Sequence, residues 1–105
     1  MKIYYYDIRT TNSFNYVRFE LYYHVNHDTT FDKQLKKTGL YLMCYHHEYD
    51  NFNNKEIKNY LFTENLNIEK YNEKSRNKFI KLLKDKINEK YKPMLYNKYN
   101  IKLNK

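Results

Sequence analysis

Between residues 16 and 25 the chain alternates strictly. Val17, Phe19, Leu21, Tyr23 and Val25 fall on one side, and Tyr16, Arg18, Glu20, Tyr22 and His24 on the other. A period of two predicts a strand in a sheet covered on one face only. Residues 3–8 predict an earlier strand, and the polar run 10–15 between the two is short enough for an antiparallel hairpin. A third strand is expected over LYLMCYHHEY, which begins at Leu40; its apolar start places it centrally or near it.

Helical spacing appears elsewhere. Thr30 is a cap for a short helix over 31–37, with Phe31 and Leu35 on one side and the lone Gly39 ending it. Asn54 caps a second short helical piece containing Ile57, Tyr60 and Leu61, although 59–62 also reads as strand; 63–68 reads as loop. From Asn72 the signal firms. Phe79, Ile80, Leu83, Ile87 and Tyr91 recur at helical spacing, with Leu82 at the margin, and predict an amphipathic helix over 73–91. Pro93 is expected to end or kink it, leaving 94–105 to add one more turn before fraying. The fold class that follows is α+β: about three antiparallel strands backed by a long basic C-terminal helix, in one domain spanning 1–105.

Composition sharpens this picture. In 105 residues there are 14 Tyr and 6 Phe but no Trp, so Tyr must build much of the core, and this aromatic load argues against disorder. No stretch approaches the ~18 consecutive apolar residues of a membrane span, and the first residues lack the apolar run of a signal peptide. One Cys staples nothing by itself, which fits a reducing, cytoplasmic setting. Lys, Asn, Ile and Tyr crowd the chain, while Gly and Pro occur once each and Ala is missing. That usage implies an A/T-rich gene, as in many low-GC bacteria, their phages and plasmids, and some protists.

Charge divides the chain. Residues 1–50 hold six Lys/Arg and six acids, a neutral, sheet-rich half. Residues 74–105 hold ten Lys and Arg76 against Asp85 and Glu89, within a basic helical half over 51–105. The formal net charge of +8 therefore resides at one end, which calls for an anionic partner.

CYHHEYD gathers Cys44, His46, His47 and Glu48, and with His24 and His27 it offers enough donors for zinc. The spacing matches no established ligand pattern, and strand periodicity puts His47 opposite Cys44, His46 and Glu48. The plainer reading is a strand passing from core to rim. Cys44 and His46 stand about 6.5–7 Å apart along a strand, too far for a nucleophilic pair. Asp7, Glu20, Glu48 and Asp50 are the acids a metal-dependent nuclease would need to gather. Tyr4, Tyr6, Tyr16 and Tyr22 are candidates for a stacking platform, helped by Arg9 and Arg18.

The basic helix carries most of the functional signal. Lys74, Lys78 and Lys81 fall on its outer face and Lys92 continues that line, with Lys84 on one flank and Lys86 on the other. Lys98 and Lys102 extend the charge, and Tyr91, Tyr96 and Tyr99 interleave with it, a pattern suited to phosphate contact plus stacking. The expected partner-binding set is Lys74, Lys78, Lys81, Lys84, Lys92, Tyr96, Lys98, Tyr99 and Lys102. The expected function is non-catalytic, with no cofactor or metal: a phage or mobile-element product that inhibits a host nucleic-acid-processing or defence nuclease, such as a CRISPR effector. It would dock its helix and Tyr-rich surface on an anionic protein or nucleoprotein. Direct, sequence-tolerant DNA or RNA binding is the alternative, and a small metal-dependent enzyme the second.

Overall fold

A computed structural model describes residues 1–12, 14–26 and 37–104. Its four strands are β1 (Lys2–Arg9), β2 (Tyr16–His24), β3 (Gly39–Asp50) and β4 (Lys55–Asn65), paired antiparallel in the order β1-β2-β3-β4. One C-terminal helix of 27 residues, 73–99, lies across one face. The α+β class stands, with four strands instead of about three.

β4 is the correction. Residues expected as a short helix around Ile57, Tyr60 and Leu61 pair with β3 along their length, Tyr45 facing Tyr60 and Cys44 facing Phe62, and the strand runs on through Thr63 and Glu64. A bulge between Cys44 and Tyr45 puts Leu61 out of step, which is why the stretch lacks clean alternation. Sheet therefore continues beyond residue 50. The helix expected over 31–37 lies outside the described residues. Gly39 opens β3, where a Cβ would meet the Ile68 carbonyl oxygen at 3.0 Å.

Register sorts the side chains by face. Tyr6, Phe19, Cys44 and Phe62 form one cross-strand row, and Ile8, Val17 and His46 the next. These rows face the helix. Phe79, Leu83, Ile87, Tyr91 and Leu95 meet them in one core with Ile8, Val17, Phe19, Leu21, Leu40, Leu42 and Cys44. Phe62 and Tyr6 are partly buried against it.

The buried helical residues recur every fourth position. In a straight α-helix turning about 100° per residue, such a stripe drifts by about 40° at each step. The segment Ile87–Tyr91 is a π turn, one residue wider than α, and it returns the stripe to the sheet. It also suits Pro93, two residues on, whose ring blocks the ordinary bond to the carbonyl four residues back. The helix thus passes Pro93 and runs to Tyr99, capped by Asn100 in the left-handed conformation. The tail does not fray as expected. The Lys102 carbonyl accepts from Thr11 N–H at 3.0 Å, and Asn104 N–H donates to the Arg9 carbonyl at 2.8 Å. Ile101 closes the end of the core.

Candidate anion-docking helix

Three bands run along the helix. Its outward band carries Lys74, Lys78 and Lys81, all exposed, at spacings of four and three that place them on one side. None of the three has a carboxylate within 4.0 Å among the described residues, and Asp85, four residues after Lys81, forms no ion pair with it.

The band toward β4 is paired with a carboxylate. Glu64 Oε1 lies 2.9 Å from Lys90 Nζ and 3.7 Å from Lys86 Nζ, and its Oε2 accepts a short hydrogen bond from the Tyr91 hydroxyl. Burial works against the ionised form of Glu64, but those donors and the two ammonium charges outweigh it and hold its pKa below the ordinary value. Burial and the same bond push the Tyr91 phenol up.

Among the described residues, no acid pairs with the lysines of the band toward β1. Lys84 Nζ stands 5.4 Å over the Tyr6 ring, Arg76 lies 5.5 Å over the Tyr4 ring, and Lys92 is half-buried. Lys92 therefore leaves the outer line, because the π turn rotates it toward the sheet edge. Lys98 and Lys102 are exposed beyond it. Of the aromatic residues interleaved with this charge only Tyr96 faces water, at 56% exposure. Tyr91 is fully buried, and Tyr99 packs on Phe62 while its hydroxyl donates to the Leu61 carbonyl. Neither ring is an available anchor. The expected set is thus divided among the outward ridge, the β1 seam, the C-terminal end and the core.

Acids of the sheet are mostly engaged within it. Both Asp7 oxygens accept from Arg18, at 2.8 and 2.9 Å, and Glu20 lies 3.3 Å from Lys2 Nζ without hydrogen-bond geometry. Glu48 stands 3.4 Å from His46 Nδ1, and Asp50 caps the hairpin turn through Phe52 and Asn53. The four acids do not converge. Among the described residues, no three His, Cys, Asp or Glu side chains are grouped to hold a metal ion; His27 lies outside them. Cys44 is fully buried and its thiol is pushed up to about 12 by burial, so it packs as a small hydrophobe.

The opposite sheet face is the other notable surface. Tyr4 and Tyr6 do not belong to it, because register turns them toward the helix; Tyr5, Tyr16, Tyr22, Tyr45 and Tyr60 do. Arg18 stands 4.3 Å over the Tyr5 ring and Lys58 4.2 Å over Tyr45. At one end a cavity of about 460 Å³ is lined by Arg9, Phe14, Tyr16, His47, Tyr49 and Glu56, among others. Glu56 Oε1 accepts from the Tyr16 hydroxyl and approaches His47 Nδ1, each at 2.8 Å, and Tyr16 stacks on His47 with centroids 4.5 Å apart. These bonds lower the Glu56 pKa. His47 is 7% exposed and its Nε2 has no hydrogen-bond partner among the described residues. The sequence reading missed this cluster, since Glu56 lies forty positions from Tyr16 on a stretch expected to be helical. Alternation in β2 and β3 was the only signal.

Ridge and aromatic face are on opposite sides of the sheet, so a flat partner meets one or the other. Among the described residues no helix is long and apolar enough to cross a membrane. The fold and site define a class: a sheet-and-helix protein whose outward helical lysines form no ion pair among the described residues. No family model, curated protein or solved structure matches the chain.

Proposed function

We propose that this is a non-catalytic binding protein that docks its lysine ridge on an anionic surface of a nucleic-acid-processing or defence complex, and thereby inhibits it. The observation that carries the reading is the contrast in pairing. Sheet carboxylates are largely bonded inside the fold, and Glu64 pairs with Lys86 and Lys90 on one helix flank, whereas Lys74, Lys78 and Lys81 are exposed and form no ion pair among the described residues. An unbalanced stripe of this kind stabilises nothing internally and steers an oppositely charged partner. Lysines predominate over arginines, which favours point-charge attraction over base reading. The A/T-rich residue usage and the single buried thiol fit a mobile-element product working in the cytoplasm.

Capture from a low-GC bacterial host tests the reading. The wild-type chain should retain a nuclease or nucleoprotein that the Lys74→Glu/Lys78→Glu/Lys81→Glu variant loses. Equal retention by the folded variant contradicts it.

Direct nucleic-acid binding is a second reading, favoured by the Tyr face with its cation-capped rings. It requires that purified protein bind single strands without any host factor, with affinity falling steeply in salt.

A further inference from the structure

Between β1 and the helix lies a cavity of about 110 Å³, lined by Tyr6, Ile8, Lys84, Ile87, Asn88 and Lys92. Its walls are two isoleucines, and its polar groups are two ammonium ions, one amide and one phenol. No carboxylate lines it. None of the four polar side chains has a hydrogen-bond or ion-pair partner among the described residues, and the nearest charged contact is Lys84 over the Tyr6 ring at 5.4 Å. Lys92 is half-buried in this state. Lys84 and Asn88 are exposed, and a half-buried ammonium such as that of Lys92 is unfavourable without an acceptor.

The opposite flank shows what paired lysines do in this fold when an acceptor is within reach. Lys86 and Lys90 both close on Glu64, with the Tyr91 hydroxyl completing the set of donors. Lys84, Lys92, Asn88 and Tyr6 reproduce that donor set on the β1 side: two ammonium groups and a phenol, plus an amide. An acceptor-rich anion from outside would meet this donor set as Glu64 meets the other. A tetrahedral oxyanion suits it best, because the ammonium, amide and phenol groups of the lining are all donors and can meet four acceptor oxygens where a carboxylate offers two. The volume exceeds several times the space one water needs, which is room for such a group.

We propose that the β1–helix seam is a phosphate-binding site formed by Lys84, Lys92, Asn88 and Tyr6. The site rests on the reading that the helix meets an anionic partner and names that partner's chemistry. The phosphate is either a backbone group of a nucleic acid or a free phosphate. On a strand, one phosphate seated in the seam fixes register while the outward ridge supplies further contacts.

Amide-resolved NMR titration with inorganic phosphate, against sodium chloride at matched ionic strength, tests it. Saturable shifts are expected at the Asn88 side-chain amide and around Ile8 and Lys92, weakened about tenfold or more in Lys84→Gln/Lys92→Gln. The ridge variant Lys74→Glu/Lys78→Glu/Lys81→Glu should keep them. A short single-stranded oligonucleotide that moves the same amides assigns the site to backbone phosphate, and saturation by inorganic phosphate alone assigns it to a free anion. Shifts that are linear in phosphate, reproduced by chloride, or unchanged in Lys84→Gln/Lys92→Gln overturn the site. If the seam variant keeps the captured partner and the ridge variant loses it, the ridge reading stands without the seam.

Discussion

The Tyr91 hydroxyl donates to Glu64, tying the π turn of the helix to edge strand β4. The Tyr91 ring sits between Phe19 and Phe62, with centroids 5.9 and 5.5 Å away. One side chain therefore fills the core and organises the charged latch on the β4 flank.

Removing only the hydroxyl isolates the second role. Tyr91→Phe keeps the packing and deprives a half-buried carboxylate of its best donor, at a cost of about 1–3 kcal/mol. Tyr91→Ala adds a cavity and should cost about 3–5 kcal/mol. Urea unfolding of both variants measures the difference.

Acid should loosen the same latch. Glu64 and Glu56 both titrate below the ordinary glutamate value of 4.5 in the folded chain. Around that pH the unfolded chain binds more protons, so stability rises with pH there. The carboxylates' contribution is complete above about pH 4.5 and is lost as pH falls through their lower folded values. Denaturant midpoints taken stepwise into acid should fall, and Glu64→Gln should flatten that fall.

Packing of the C-terminal tail gives a third outcome. Leu95 is fully buried beyond Pro93, so Leu95→Ala should cost about 2–5 kcal/mol, where a frayed tail would cost nothing. Asn100 has φ 55°, so Asn100→Gly should be neutral or mildly stabilising, and Asn100→Val destabilising by about 1–2 kcal/mol. Thermal melts of the three variants check both statements.

Gly39 supplies a fourth. Gly39→Ala drives a methyl against the Ile68 carbonyl oxygen at 3.0 Å, where Leu40 N–H also donates at 2.8 Å. The melting temperature should drop, and faster amide exchange should concentrate at Leu40 and Leu66, which bond each other's segments here.

What the sequence made legible follows its periodicity. β2 alternates cleanly, so its faces are read correctly as far as Tyr23. The stripe from Phe79 to Tyr91 is strong enough to predict both the helix and its Lys84 and Lys86 flanks. β4 resisted reading because the bulge at Leu61 breaks alternation and edge exposure leaves charges on both faces. The π turn is invisible locally. Only the partner sheet reveals why a four-residue repeat can continue past Pro93. The faces of β1 are not legible, because three consecutive tyrosines carry no alternation to orient it; register turns Tyr4 and Tyr6 to the helix, away from the platform for which they are candidates. The Tyr16, His47 and Glu56 cluster spans three strands, and residue spacing holds no record of such a contact.

The central claim is that the outward lysines form a docking surface and do more than add net charge. Elution salt on a polyanion column separates the two. Lys74→Glu/Lys78→Glu/Lys81→Glu is compared with Lys37→Glu/Lys55→Glu/Lys70→Glu, which changes exposed lysines off the helix and shifts net charge equally. The ridge variant should lose retention while the control keeps most of it. Equal loss in both, with both folded, would contradict the claim and reduce the ridge to bulk charge.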